Sequence, residues 1–151
     1  MTGGVNMRNL VSAFSGLDNY KDSVLLFVRI GLCFMFVYVH GGPKLFGGPE
    51  KWQGVGSMLA VIGITAMPTL LGFIAAFCEF VGGVLIGLGL LTRLGAAMIL
   101  STLIIASVVM FAMKGLFAAA APIEDSLFML VLMVVGAGKY SLDYRWFGKR
   151  F

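Results

Sequence analysis

Few residues in this chain carry chemistry, and each stands in an apolar background that makes it expensive. Glu79 is the only charged residue in the stretch from Thr69 to Leu91, TLLGFIAAFCEFVGGVLIGLGLL, and lies near its midpoint. At 1.5 Å per residue this stretch is long enough to cross a hydrocarbon core of roughly 30 Å. A carboxylate at that depth costs on the order of 2.5–3.5 kcal/mol, so Glu79 is expected to face protein or a wet cavity. Arg29, Cys33, Phe36 and His40 are spaced i, i+4, i+7 and i+11, which is one stripe of a helix. A carboxylate and an imidazole are acid–base groups, and a guanidinium is a fixed cation that holds a carboxylate charged. The chemistry open to this set is proton handling, with Glu79, Arg29 and His40 as the candidate catalytic residues.

Arg29 has two readings: its charge snorkels to the near interface, or it pairs inside the bundle. The spacing favours a buried pair with Glu79. Counted along antiparallel helices, the two backbones differ by about 6 Å in depth, which two long side chains span. His40 and Lys44 are the next partners for Glu79. Cys33 and Cys78 sit on different apolar stretches with no C-x-x-C between them, so they read as small apolar filling. One His, one Cys and one Glu are too few for a metal site. Gly87 and Gly89 form a G-x-G without any βαβ context, which is helix packing and not a dinucleotide fingerprint.

The elements that must position these groups are membrane spans. The chain is 60% hydrophobic and 12% charged, with mean hydropathy +0.99, beyond what a soluble domain of 151 residues needs for its core. The expected fold is all-α: an integral membrane four-helix bundle with an additional interfacial or re-entrant helix between the first and second spans. Residues 1–22 read as a cytoplasmic or interfacial tail whose apolar patch, Leu10 to Phe14, is too short for a signal peptide. Residues 23–143 form the transmembrane domain, and residues 144–151 a basic, aromatic tail suited to an anionic membrane surface.

Within the domain the first span runs from Ser23 to His40, capped by Asp22 or Ser23, and Gly41-Gly42-Pro43 ends it. A Gly- and Pro-rich connection follows, with Trp52 as an interface anchor. Gln53 to Met67 is short for a crossing and is expected to lie at the interface or to re-enter; whether it crosses stays open. The second span carries Gly72, Ala76, Glu79, Gly83 and Gly87 on one face, so a neighbouring helix should pack closely there. The third span is Leu94 to Met113. Leu116 to Pro122 is a connector, and the fourth span runs from Ile123 to about Ala137, with Glu124 and Asp125 in its first turn complementing the helix dipole.

Four spans place both termini on one side. Eight of the eleven lysines and arginines then fall on that side, against Lys44, Lys51 and Lys114 on the other, so both termini are expected in the cytoplasm. The formal charge of +4 is dispersed over helix ends and does not form a nucleic-acid patch.

Three stretches carry a family resemblance: Arg29-Ile30-Gly31 through Gly42-Pro43-Lys44-Leu45; Glu79-Phe80-Val81-Gly82-Gly83 through Gly89-Leu90-Leu91-Thr92-Arg93; and Gly136-Ala137-Gly138-Lys139-Tyr140-Ser141-Leu142-Asp143. In order and spacing the chain resembles the DoxX family of small bacterial membrane proteins from about Val24 to Asp143. The resemblance implies a four-helix bundle in the bacterial inner (plasma) membrane. Family members are described as oxidoreductase components, and one relative is a subunit of a thiosulfate:quinone oxidoreductase. Arg29, Lys44, Glu79 and Asp143 match the family's charged positions and are the expected buried polar residues. Many relatives carry a histidine near the end of the third helix, where this chain reads Met110-Phe111-Ala112-Met113, so the resemblance does not carry that residue's role over.

The functional reading is an accessory or structural component of a membrane redox complex, with membrane lipids and other membrane subunits as partners. No cofactor is evident in the sequence, and quinone is the one the reading admits. The alternatives are a quinone- or thiol-linked oxidoreductase in which Glu79, His40 and Cys33 handle protons, and a small-solute or proton pathway lined by Glu79 and Arg29.

Overall fold

A computed structural model describes residues 16–148. Among them there is no strand, and four helices are long and apolar enough to cross a membrane. The first is a continuous rod, Gly16–Leu45. It comprises a 3₁₀ turn at Gly16–Tyr20, α1 (Lys21–Phe34), a π-helical segment (Met35–Gly41) and one further turn, α2 (Gly42–Leu45). Then come α3 (Gly48–Ser57) with a 3₁₀ extension (Met58–Ile62), and α4 (Pro68–Leu88). The chain continues with α5 (Thr92–Lys114), α6 (Leu116–Val135) and a short α7 (Leu142–Phe147). The readings placed on Arg8 and on Leu10 to Phe14 lie outside the described residues, as do those on residues 149–151.

The first helix does not stop at Gly41-Gly42-Pro43. Proline lacks an N–H and clashes with an α-helical backbone four residues before it. Here the preceding turn widens to π geometry, with Gly42 N–H donating to the carbonyl of Val37, and the rod passes through the proline. Gly41 makes the passage possible: a Cβ there would lie 2.5 Å from the backbone nitrogen of Phe80. The rod therefore touches α4 backbone to backbone, one turn before Lys44.

From there the chain runs antiparallel to α4 for nearly its whole length. Cys33 packs on Gly87, Phe36 and Val37 on Gly83, Lys44 meets Glu79, the carbonyl of Trp52 lies over Gly72, and that of Pro68 over Gly56. The additional helix is thus α3, starting at Gly48 and seated along the N-terminal half of α4. Trp52, expected as an interface anchor, is tied into the bundle. Its indole N–H donates to the carbonyls of Lys44 and Leu45 at 2.9 and 3.2 Å, and its ring meets Phe73 edge to face. It fastens the bend between α2 and α3 to α4.

The fourth span also differs from expectation. α6 starts at Leu116, so the alanine run is helix and Pro122 lies inside it. Glu124 and Asp125 are consequently halfway along a twenty-residue apolar helix, not in its first turn. The physical reason is length: Ile123 to Ala137 covers only about 22 Å, too little for a span, so the helix recruits the residues before the proline.

The dry core fills the half of the bundle nearest α7. Phe36, Ile86, Ala96, Ile99, Leu103, Met129 and Leu132 come from all four long helices and are buried. Such packing, with Gly82 and Gly95 against each other's helices, suits a membrane bundle, where close contact replaces the hydrophobic drive.

Candidate functional site

The charged residues separate into three groups, and the expected Arg29–Glu79 pair is not among them. Arg29 is 1% exposed at the end of the bundle beside α7. Its Nε donates to Ile86 O at 3.0 Å and Nη2 to Gly87 O at 3.2 Å, both carbonyls in the last turn of α4. Nη1 reaches Ala137 O and, at 3.1 Å, Tyr140 O just past the end of α6. The guanidinium thus serves carbonyls that helix ends leave orphaned, where the dipoles also favour a cation. Asp143 does the converse. It is 2% exposed and accepts from the N–H of Leu91 (2.6 Å) and of Thr92 (2.9 Å) at the start of α5. Its own N–H donates to Gly89 O at 2.8 Å. These bonds hold Leu91 at φ 47°, a left-handed conformation rare for leucine. Gly89, at φ 64°, leaves room for the guanidinium that a Cβ would strike. This cluster is architecture, and Arg29 is committed to it.

Asp22 joins the same end. It does not cap its own helix but accepts from Lys139 N–H at 3.0 Å and pairs with the Lys139 ammonium at 3.5 Å.

The second group is Lys44 and Glu79. Lys44 Nζ lies 2.7 Å from Oε1 and 2.6 Å from Oε2, with the carboxylate side chain 8% and the lysine 28% exposed. The pair stands at one end of a cavity of about 320 Å³, bounded by α3 with its 3₁₀ extension, α4 and α5. The walls are apolar: Val55, Met58, Leu59, Leu71, Ile74, Ala75, Ile105, Ala106, Val109 and Met110. Cys78 also lines it, whereas Cys33 packs on Gly87 at the other end of the helix. Thr102 and Ser101 contribute hydroxyls already spent on the carbonyls of Ile99 and Met98. Ile74, Ser101 and Ile105 are exposed, so the cavity opens sideways between helices.

Such a site fits a molecule with an apolar body and one polar end. An ammonium has three protons, and two go to the carboxylate. The third is left for an acceptor on a ligand, while each carboxylate oxygen keeps capacity to accept from a hydroxyl.

The third group is His40, Glu124 and Asp125, which join neither of these clusters. His40 is half-buried, tilted against the Phe36 ring at 5.6 Å between centroids, and has no hydrogen bond among the described residues. On α6, Glu124 is exposed and Asp125 half-buried. Sequence reasoning did not place Glu124 and Asp125 halfway along a span, because it read both acids as a helix start. The usable signal was the short run after them: the nine apolar residues from Leu127 to Val135 cannot span a bilayer alone.

Of the small residues expected at a packing face, Gly72, Gly83 and Gly87 lie under the carbonyl of Trp52, Phe36 with Val37, and Cys33 respectively, and Ala76 is fully buried. Among the described residues no group of three or more His, Cys, Asp or Glu could hold a metal ion.

A bundle of four long apolar helices with a fixed ion pair halfway along it defines a helical membrane protein, and sequence comparison supplies the family. Residues 24–112 match the DoxX family model, and the chain belongs to the DoxX family. It is also similar to a Haemophilus influenzae protein described as an uncharacterized protein, 32% identical over 89% of this chain and 99% of that one. No solved structure matches.

Proposed function

We propose that this protein is a bacterial inner-membrane component of a redox system and holds a lipophilic carbonyl compound of the quinone class in the α3–α4–α5 cavity. The observation that carries this reading is the Lys44–Glu79 pair at the end of an otherwise apolar pocket with an exposed, lateral rim. A quinone carbonyl accepts the remaining lysine proton, a quinol hydroxyl donates to Glu79, and the ring and tail lie along Leu71, Ile105 and Val109. The polar pair then discriminates against plain hydrocarbon, which leaves the third lysine proton without an acceptor.

The protein works as an accessory subunit beside other membrane proteins. Glu124 supports this: it is exposed halfway along α6, where lipid is a poor environment for a carboxylate and a partner helix with a donor is a better one. A solute pathway is the less supported alternative, since the tail-side half of the bundle is filled by Phe36, Ile86, Ile99 and Met129.

The test is photolabelling of the protein in nanodiscs with a photoreactive short-chain quinone. Adducts should map to residues 71–79 and 101–110 and be competed by unlabelled quinone. Lys44→Met and Glu79→Gln should reduce labelling of folded protein. Labelling spread evenly over lipid-facing residues such as Phe27 and Val134 would rule the site out.

A further inference from the structure

We propose that the end of the bundle beside α7 is a seat for anionic phospholipid headgroups, with Arg93 and Arg145 as its free cations and Tyr140, Tyr144 and Trp146 as its aromatic anchors. The seat does not depend on what the cavity holds.

Hydrogen bonds bring the basic residues to one rim. The Asp143 carboxylate accepts from Thr92 N–H at 2.9 Å, so Arg93, the next residue of α5, and Arg145 of α7 start from adjoining backbones. Asp22 accepts from Lys139 N–H at 3.0 Å, which sets Lys21 beside the turn that follows α6. Arg29 holds that turn from inside the bundle by the carbonyls of Ala137 and Tyr140. Ser141 caps α7, its hydroxyl accepting from Tyr144 N–H at 3.1 Å. The rim is therefore fixed backbone and not a loose tail.

Charge and aromatic content there both fit lipid. Lys21, Arg93, Lys139 and Arg145 are exposed, and Asp18 is the one exposed acid among the described residues of this end. Asp22 and Asp143 are spent on Lys139 and on backbone N–H groups. Arg93 and Arg145 have no ion pair among the described residues, so their charges are free for a ligand. Tyr20, Tyr140, Tyr144 and Trp146 are exposed at the same end, where the long helices start or stop. Tyrosine and tryptophan settle at headgroup depth, and lysine and arginine beside them attract anionic lipid. An acidic soluble partner would match the charges but not a ring of aromatics at the level where the spans end. The opposite end differs: its exposed Glu50 and Lys51 are neighbours of opposite sign, which leaves Lys114.

Spin-labelled lipids in phosphatidylcholine vesicles that contain the full chain report which headgroups the protein retains. Spin-labelled phosphatidylglycerol should associate about threefold more strongly than spin-labelled phosphatidylcholine at low salt. The preference should shrink at about 1 M salt, where screening sets in within roughly 3 Å. Arg93→Gln combined with Arg145→Gln should bring the ratio most of the way to one. Each single variant should lose part of it, and the singles serve if the double variant does not fold. Lys51→Gln combined with Lys114→Gln removes as much charge from the opposite end and should leave the ratio unchanged. A wild-type ratio of one overturns the seat; if an acidic peptide then binds wild type and not the Arg93/Arg145 variant, the rim serves a soluble partner. A ratio that persists without Arg93 and Arg145 places the lipid elsewhere and also overturns it. So does an equal fall in the two double variants, which reports net charge alone.

Discussion

Lys44 closes on both oxygens of Glu79, at 2.7 and 2.6 Å, from a helix turn that a proline was expected to abolish. The widened turn at Met35–Gly41 carries the rod far enough to place this lysine halfway along α4. Breaking one partner should strand the other in an apolar setting. Lys44→Met or Glu79→Leu is expected to cost about 3 kcal/mol, at the low end for buried pairs because the lysine is partly exposed. The double variant should lose less than the sum of the singles. Thermal unfolding of the three variants in a mild detergent measures this, and strict additivity would mean that the two charges are independent.

The close approach of α3 to α4 depends on two glycines. A Cβ at Gly72 would lie 1.8 Å from the carbonyl oxygen of Trp52, and one at Gly56 would lie 1.8 Å from that of Pro68. Backbone cannot yield as a side-chain tip does, so Gly72→Ala should lift α3 and lower stability by about 2 kcal/mol or more. Gly54, on α3 beside Gly56 and with nothing within 4 Å of its position, is the control. Its change to Ala should be neutral or slightly stabilising. Equal losses in both variants would show that α3 does not pack as described.

Much of this was legible in the sequence where hydrophobic length alone decides. The second and third spans fall within three residues of their expected ends, and the glycine face of the second packs where helical geometry puts it. Two misreadings share one cause, the use of proline as a boundary. Pro43 was expected to end the first helix and Pro122 to start the fourth, yet both are taken inside helices whose neighbours hold them. Each error moved a charged group along the bundle. Without the π turn Lys44 is left in a loop and Arg29 is the nearest cation for Glu79. Without the helix before Pro122, Glu124 and Asp125 are at an interface and not halfway along a span. Arg29 itself could not be placed from sequence, because its partners are backbone carbonyls, which no residue type announces.

Arg29 is bound by shape as well as by charge. Its fork donates to four carbonyls on two helix ends, and a lysine offers one compact ammonium in their place. Arg29→Lys should therefore destabilise by about 2–4 kcal/mol although the charge is kept. Asp143→Asn turns an amide NH₂ toward one of two N–H donors and should cost about 1–2 kcal/mol. Both losses should appear in unfolding while decylubiquinone affinity of the folded fraction is unchanged, since neither residue lines the cavity. A full rescue by lysine would mean that only the charge matters.

The concentration of lysine and arginine on the side of the termini leads to the expectation that both ends are cytoplasmic. A fluorescent protein fused after Phe151 should fold and fluoresce, and an alkaline phosphatase fused there should be inactive. The reverse pattern would invert the bundle and place the α3 side of the cavity toward the cytoplasm.

The cavity offers the sharpest separation between a site and a packing flaw. Ala106 lines it from α5, whereas Ala96, on the same helix, is fully buried in the dry core. A phenylalanine at position 96 has no space and must displace Ile86 or Ile99, so Ala96→Phe should cost about 1–3 kcal/mol or more. Ala106→Phe instead places its ring in existing space, makes new contacts with Leu71 and Val109, and should leave stability unchanged or raise it. The same ring occupies the volume that a quinone head needs to reach Lys44. Ala106→Phe should therefore abolish decylubiquinone binding, and with it the ligand-induced rise in melting temperature, in a protein that is otherwise at least as stable as the parent. Ala106→Gly, which enlarges the space, should keep binding. If Ala106→Phe destabilises as much as Ala96→Phe, the space closes in the folded protein and is no site; if it is stable and still binds, the quinone lies elsewhere and the Lys44–Glu79 pair is not its anchor.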